Sequence, residues 1–309
     1  MSTNRNRRFI AAGLMVTVAA LGLALGATLY KAQVGSAQPA GSRVGSPGKL
    51  FDYDRSAPLD TVLGKAQLVA QGIVFQELEF NGAESLRVKA YFVHPVAGGP
   101  WPLVIWSPGA GGDRRQQLPE ALAAARTGLA SLLIGYKPSV GNCRDAKAGI
   151  AGTVDYVVSR RRAVDVAETL PNVDTTRIAA AGASQGAAVT AMLSGVEHRI
   201  VAFALQSGRG HLAGWIRRFC TFPGAKQQAA YIAKVSVVDP VHWVRSAKHA
   251  AFLIQNGTSD KLTPRADVLA LYAAARKPKE LHWYRAGHGL NAAATAYLRA
   301  WLFRHLRRR

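Results

Sequence analysis

Hydrophobic and polar positions repeat with two different periods along the chain, and together they predict a domain of strands and helices. Residues 73–80 and 86–94 alternate apolar with polar side chains around Asn81-Gly82, which predicts an antiparallel hairpin. Further along, short apolar runs alternate with segments of helical spacing. The strand candidates are residues 103–106, 129–135, 177–181, 200–205, 251–254 and 281–284. The helix candidates are residues 118–126, 152–170 and 184–193, and a last helix with Leu290, Ala294, Tyr297, Trp301 and Leu302 on one face.

A hairpin followed by strands that alternate with helices predicts the α/β class, with a mostly parallel, doubly wound sheet. Residues 208–249 interrupt this alternation, and we expect them to form an insertion over the sheet edge. Neither an internal repeat nor a second linker follows residue 50. The sequence therefore predicts a single catalytic domain over residues 50–309.

The first 48 residues have a different composition. Arg5, Arg7 and Arg8 precede the uncharged residues 9–30, which favours a signal peptide or an N-terminal membrane anchor. The apolar run is long enough to span a bilayer, which needs roughly 20 residues, whereas the small residues Gly35-Ser36-Ala37 suit cleavage. Residues 31–48 are rich in Ala, Gln, Gly, Ser and Pro and predict a flexible linker. Either alternative predicts an exported protein, periplasmic or extracellular, that is anchored to the membrane if residues 9–30 are not cleaved.

The formal net charge is +21, and because residues 1–30 contain three arginines and no acidic residue, the remainder carries +18. Such an excess favours contact with an anionic surface, such as phospholipid, polysaccharide or an acidic substrate. The positive residues are scattered apart from Arg160-Arg161-Arg162 and Arg307-Arg308-Arg309. Neither zinc-finger spacing nor an aromatic RNA-binding signature accompanies them, so no specific nucleic-acid site is predicted.

The chain has two cysteines, Cys143 and Cys220. In an oxidising compartment they are able to form a disulfide, and two buried thiols are the alternative. The sequence leaves both open.

The strongest chemical signal is Gly182-Ala183-Ser184-Gln185-Gly186, a G-x-S-x-G pattern between a predicted strand and a predicted helix. A serine on such a sharp turn projects its hydroxyl away from the sheet, and small neighbours let the backbone pass closely. Ser184 is therefore the candidate nucleophile. The N–H of Gln185, at the helix N-terminus, is a candidate donor to a developing oxyanion.

A serine nucleophile needs a base within hydrogen-bonding distance and an acid that orients the base. Asp260 follows the strand at 251–254, and His288 follows the strand at 281–284, so both lie where the carboxyl ends of parallel strands meet. Asp239 is the alternative acid, but it precedes Pro240 and has the position of a helix N-cap. The other histidines considered, His211, His242, His249 and His282, do not follow a strand end.

The glycine-rich segment Ser107-Pro108-Gly109-Ala110-Gly111-Gly112 follows the third predicted strand. Its backbone is able to present a second oxyanion donor, for which the N–H of Ala110 is the candidate. Neither a metal-ligand spacing nor a dinucleotide or P-loop pattern occurs, so no cofactor and no metal are predicted.

Taken together, these motifs resemble the dienelactone-hydrolase-like and acetyl-xylan-esterase-like branch of the α/β-hydrolases. The resemblance extends over residues 51–306. It rests on residues 51–59 (FDYDRSAPL), residues 91–95 (YFVHP), the loop at 107–112, the serine turn, Gly257-x-x-Asp260 with Pro264, and Gly287-His288-Gly289-Leu290. It implies Ser184, His288 and Asp260 as the triad, with Gln185 and Ala110 as oxyanion donors. One departure is Pro108-Gly109, where the family loop usually begins His-Gly.

By this resemblance we expect a serine esterase that cleaves small-molecule carboxylic esters through an acyl-enzyme and uses no cofactor. The alternatives are an exopeptidase or lactone hydrolase of the same fold, and a membrane-tethered binding protein on an inactive hydrolase scaffold. An exopeptidase is less favoured, because the chain offers no extra domain to hold a free amine. The aromatic residues of the 208–249 segment are expected either to shape the substrate pocket or to belong to the core; they are Trp215, Phe219, Phe222, Tyr231 and Trp243.

Overall fold

The computed structural model of the protein describes residues 49–135 and 143–307. The predicted signal or anchor (residues 1–30) and linker (residues 31–48) lie outside the described residues. Within the described residues, ten strands form one sheet. They are β1 (Val62–Leu63), β2 (Gln67–Ala70), β3 (Ile73–Asn81), β4 (Arg87–Pro95), β5 (Trp101–Ser107), β6 (Ala130–Ile134), β7 (Val173–Ala183), β8 (Ile200–Gln206), β9 (Ala251–Gly257) and β10 (Lys279–Tyr284).

Strand order confirms the predicted fold class. The order is β1-β3-β4-β6-β5-β7-β8-β9-β10, and β2 pairs with β3. Strands β5 to β10 pair in parallel, whereas β3 and β4 form an antiparallel hairpin that joins β6 through β4. A parallel sheet of this kind is covered on both faces, and every residue of β5 and β6 is buried accordingly.

At least one helix follows each of the parallel strands in the chain. They are α1 (Leu118–Ala125), α2 (Ala146–Thr169), α3 (Gln185–Ser194), α4 (Ala213–Phe219), α5 (Ala225–Val235), α6 (Pro240–Val244), α7 (Arg265–Ala274) and α8 (Ala292–Leu306). Among the described residues, no helix is both long and apolar enough to cross a bilayer.

Helix α2 begins six residues before the predicted start. The side chain of Asp145 accepts hydrogen bonds from the N–H groups of Lys147 and Ala148 and thereby caps the first turn. The helix also corrects the view of Arg160-Arg161-Arg162 as part of a basic surface. The side chains of Arg160 and Arg162 are only 2% exposed, so they point into the protein.

The 208–249 segment forms α4, α5, a 3-10 turn and α6 between β8 and β9. The sequence predicts this insertion over the sheet edge; in the structure α5 contacts α2 and α6 contacts α3, so it covers helices on one face. A disulfide joins Cys143, just before α2, to Cys220 at the end of α4, with a Cα–Cα distance of 5.4 Å. Of the two alternatives that the sequence left open, the disulfide is the one present.

The buried face of α8 differs in part from the predicted one. Ala294, Trp301 and Leu302 are buried as predicted, together with Leu298 and Leu306. Leu290 precedes the helix and is half-buried. The helix packs against β7, β8 and β9, and residues of the candidate site follow two of these strands, β7 and β9.

Candidate active site

Ser184 lies between the last residue of β7 and the first residue of α3. Its backbone has φ 54° and ψ −111°, in the left-handed half of the conformational map that non-glycine residues rarely adopt. The N–H of Ser184 donates to the carbonyl of Gln206 at 2.8 Å, which ties the turn to β8. A strained residue held in this way is typical of a functional position, and here it presents the serine hydroxyl at the end of the sheet.

The two glycines of the motif are required by close backbone approach. A Cβ atom on Gly182 would overlap the carbonyl of Gly186. A Cβ atom on Gly186 would overlap the carbonyl of Ser107, at the end of β5. The turn is therefore packed directly against the start of the glycine-rich loop.

The three residues that the sequence singled out as nucleophile, base and acid lie in one chain of hydrogen bonds. Nε2 of His288 is 2.8 Å from Oγ of Ser184. Nδ1 of the same ring is 2.9 Å from Oδ2 and 3.1 Å from Oδ1 of Asp260. The serine lies 104 residues from the histidine in sequence, and the parallel sheet brings them together because each follows the carboxyl end of its strand.

Asp260 is almost completely buried, with a side chain that is 1% exposed. Besides the imidazole, its Oδ1 accepts hydrogen bonds from the N–H groups of Leu262 at 2.8 Å and Thr263 at 3.0 Å. Burial by itself raises the pKa of Asp260, but the hydrogen bonds from His288, Thr263 and Leu262 outweigh it and hold this pKa below its ordinary value. The carboxylate is therefore charged near neutral pH. Its contribution to stability is present above about pH 4 and is lost as the pH falls through its lowered pKa.

Two residues that the sequence analysis missed hold the acid and base loops in place. The hydroxyl of Ser207, directly after β8, donates to the carbonyl of His288 at 2.6 Å, and its own carbonyl accepts from the hydroxyl of Thr263 at 3.2 Å. The amide of Asn256, in β9, donates to Oδ2 of Asp260 at 3.2 Å. Ser207 and Asn256 each lie at the carboxyl end of a central strand, and this position is the feature of the sequence by which they could have been found.

The structure places the two predicted oxyanion donors differently. Gln185 is the first residue of α3, and a helix supplies no acceptor for the N–H groups of its first turn, so this N–H has no intrahelical partner and lies directly after Ser184 in the chain. In the glycine-rich loop, the N–H of Gly109 donates to Oε1 of Gln116 at 2.8 Å. Ala110, the next residue, is exposed, and its role as second donor stays a prediction.

Residues considered as alternatives lie in other networks. Nδ1 of His211 is 2.7 Å from Oδ1 of Asp267, a second histidine–carboxylate pair, in which neither side chain hydrogen-bonds to Ser184. Asp239 precedes α6 as predicted, but its carboxylate accepts from the N–H of Leu212 at 2.7 Å. His282 contacts Glu280 in β10. Within the described residues, no three His, Cys, Asp or Glu side chains are grouped as metal ligands.

A cavity of about 30 Å³ borders Gln185 on the side of the insertion. Trp215 and Tyr231 contribute to its wall, so these two aromatic residues of the insertion shape a cavity. Trp243 instead packs edge-on against Phe51 at 4.4 Å between ring centroids, as a core residue does.

A sequence model of the acetyl xylan esterase family (AXE1) matches residues 51–208, half of the chain. The chain belongs to the acetyl xylan esterase family. It is a serine carboxylic ester hydrolase with the α/β-hydrolase fold, as the sequence predicted. No curated protein sequence matches this esterase significantly.

Solved structures show the same fold. The acetyl xylan esterase from Paenibacillus sp. R4 is 19% identical, with a TM-score of 0.70 over 84% of this chain and 92% of that one. Acetyl xylan esterase 1 from Thermoanaerobacterium sp. JW/SL YS485 is 15% identical, with a TM-score of 0.73 over the same shares. A cold-adapted esterase from an Arctic intertidal metagenomic library is also 15% identical, with a TM-score of 0.60 over 80% of this chain and all of that one.

The family match includes Ser184 but ends before Asp260 and His288. The positions of acid and base in this esterase therefore rest on the hydrogen bonds of the structure and on the order of the strands.

Proposed function

We propose that Ser184, His288 and Asp260 carry out ester hydrolysis through an acyl-enzyme. Oγ of Ser184 attacks the ester carbonyl while Nε2 of His288 takes its proton, and Asp260 holds the imidazole in the tautomer that accepts this proton. The proton then passes to the leaving alcohol, and the same base activates the water that releases the acid. The N–H of Gln185, together with that of Ala110, stabilises the oxyanion. The observation that carries this proposal is the hydrogen-bonded chain of 2.8 and 2.9 Å from serine to histidine to aspartate.

The substrate that we propose is an ester of a short acyl group, with acetyl as the best fit. The cavity of about 30 Å³ is lined by Gln185, the residue that follows Ser184, although Ser184 and His288 do not line it themselves, and its small volume suits a short acyl group. The aromatic wall of Trp215 and Tyr231 limits a longer acyl chain. The family name and the two xylan esterase structures support acetylated xylan as the first polymer to test.

We therefore expect kcat/KM to fall in the order p-nitrophenyl acetate, butyrate, octanoate. Trp215→Ala removes part of the cavity wall and is expected to raise the butyrate-to-acetate ratio of kcat/KM by about 10-fold, in the range that a missing methylene group is worth in an apolar pocket. Trp243→Ala is the matched control, because it removes an indole of the same insertion that packs on Phe51 and does not line this cavity. An octanoate preference in the wild type, or an equal shift in both variants, would contradict the short-acyl assignment.

The charge of the protein supports a further part of the proposal, namely that the polymer carries acidic groups besides its acetyl esters. Arg218, Lys261 and Arg285 are exposed around the loops that hold the acid and the base. The guanidinium of Arg218 donates to the carbonyl of Lys261 at 2.8 Å. Within the described residues, none of the three forms an ion pair with a carboxylate. Unpaired cations beside the entrance attract an anionic substrate, and the attraction weakens as salt screens it.

Neutralising these three cations with glutamine is expected to lower kcat/KM for an acetylated polygalacturonate several-fold at low salt and to leave p-nitrophenyl acetate turnover unchanged. The control variant replaces Arg126, Lys248 and Lys277, which precede β6, β9 and β10 and so lie at the opposite end of the sheet. If both triple variants lose polymer activity equally, the net charge of the protein attracts the polymer and the three cations near the site have no special role. If neither loses it, the acidic-polymer proposal is wrong.

Export is also part of the proposal. The disulfide between Cys143 and Cys220 supports it, because structural disulfides persist mainly in oxidising compartments. Cell fractionation with antibody detection tests it, and the same experiment shows whether residues 9–30 keep the protein on the membrane. Recovery from the cytosolic fraction with both thiols free would argue against export.

A further inference from the structure

A buried arginine lies behind the glycine-rich loop, and the mechanism above does not use it. Arg160 extends from α2, is 2% exposed, and stacks on the ring of Tyr156, with its guanidinium carbon 3.4 Å from the ring centroid. Its pKa is lowered by burial to about 10, so that it stays charged at neutral pH. A buried charge is normally paired with an opposite one. All 18 acidic side chains of the chain lie within the described residues, and none of them forms an ion pair with Arg160.

Oxygen atoms at the ends of two central strands bind the guanidinium instead. Its Nε donates to Oγ of Ser107 at 3.2 Å, and its Nη2 donates to the carbonyl of Gly135 at 3.0 Å. Ser107 ends β5 and begins the glycine-rich loop, and Gly135 directly follows β6. The rigid fork of an arginine thus connects the two strand ends next to the site.

Ser107 is also the residue that touches the nucleophile turn. Its carbonyl lies where a Cβ atom on Gly186 would be, and it accepts a hydrogen bond from the side-chain amide of Gln117 at 3.3 Å. The position of Ser107 therefore fixes both where the loop leaves the sheet and how close it comes to the N-terminus of α3. Those are the two elements that carry the oxyanion donors.

We propose that Arg160 is a positioning residue for the oxyanion hole, which acts by holding Ser107, at the start of the glycine-rich loop, in place against Gly135 at the end of β6. This inference rests on the proposed function of Ser184. Because hydrogen bonds to an oxyanion are effective only at the right geometry, a displacement of about 1 Å is able to lower the rate by about 100-fold. Arg160, Ser107 and Gly135 do not line the cavity proposed for the acyl group, so the loss is expected in kcat.

Arg160→Lys is the test, because it keeps the charge and removes the fork. We expect kcat for p-nitrophenyl acetate to fall about 10- to 100-fold, KM to change less than threefold, and the rate of fluorophosphonate labelling to fall in parallel with kcat, since that reaction uses the same oxyanion hole. Arg162→Lys is the matched control. Arg162 lies one half-turn away in α2, is equally buried, and donates to the backbone carbonyls of Ala57 and Pro58 away from the site. We expect it to lower the melting temperature and to leave kcat unchanged.

A Ser107→Ala variant keeps the proposal testable if Arg160→Lys fails to fold. It removes only the acceptor of the Nε hydrogen bond, so we expect a smaller fall in kcat than in Arg160→Lys. The double variant is expected to have the same kcat as Arg160→Lys alone, because the contact that Ser107→Ala breaks is already lost in Arg160→Lys. A kcat for Arg160→Lys within twofold of the wild type, or an equal loss in Arg162→Lys, would overturn the inference while Ser184→Ala stays inactive. Failure of the proposed function itself would look different, since Ser184→Ala would then retain the wild-type rate.

Discussion

Ser184→Ala is expected to reduce p-nitrophenyl acetate turnover to the rate of the buffer alone. Removing the nucleophile of a serine triad lowers kcat by about 10⁶-fold in a well-studied protease, and no hydroxyl remains here within hydrogen-bonding distance of Nε2 of His288 in the described site. The measurement is initial-rate kinetics on the full chain, with circular dichroism to show that the fold is intact. The substitution does not relieve the backbone strain at this position, since an alanine there would also have to adopt a φ of 54°.

The matched control uses a second serine, at the far end of the helix that follows Ser184. Ser194→Ala, at the end of α3, removes a buried hydroxyl that donates a hydrogen bond to the carbonyl of Ala191 at 2.7 Å. It is expected to leave turnover unchanged, and a fluorophosphonate probe should label it as it labels the wild type. Labelling of the Ser184→Ala variant at a wild-type rate would remove Ser184 as the nucleophile and would require another reactive hydroxyl.

Asp260→Asn is expected to lower kcat by about 10⁴-fold with little change in KM. The amide of an asparagine donates a hydrogen bond to Nδ1 of His288, so the ring proton moves to Nε2, which is then unable to accept the proton of Ser184. Since the pKa of Asp260 lies below its ordinary value, the wild-type carboxylate is ionised throughout the neutral range, and the loss is expected at every pH between about 6 and 8.

The protein contains its own control for this experiment. Asp267 makes a contact of 2.7 Å to Nδ1 of His211, a pair of the same kind outside the proposed triad. Asp267→Asn therefore disturbs an equivalent hydrogen bond, and we expect kcat to stay within about twofold of the wild type. If Asp267→Asn were the variant with the large loss, His211 and not His288 would need to be considered as the base.

Much of the site was predictable because strand ends leave a local signal in the sequence. The Gly182–Gly186 pattern follows a run of small apolar residues, and Asp260 and His288 each follow an apolar strand, so the rule of parallel sheets places them together. The choice of Asp260 over Asp239 rested on the same rule. The structure gives its physical basis, because Asp239 bonds the backbone of Leu212 in the insertion.

Features that depend on three-dimensional packing were not predictable. The triplet Arg160-Arg161-Arg162 looks like a basic surface, and only the packing of α2 shows that two of these side chains are buried. The short strands β1 and β2 have few residues and no clear alternation, and they exist through their pairing with β3. The position of the insertion, on helices of one face, is set by tertiary contacts that no local pattern encodes.

The order of the strands also determines when the enzyme becomes active. The proposed nucleophile, acid and base follow β7, β9 and β10, so the proposed site is complete only after the last strand has joined the sheet. Nε2 of His288 and Oγ of Ser184 belong to residues 104 positions apart, and such a long-range contact is slow to form because the entropy of closing a long loop must be overcome first. Esterase activity during refolding should therefore appear later than helical circular dichroism, and its delay measures the final step of sheet assembly. A chain that travels unfolded to another compartment would carry no active hydrolase on the way.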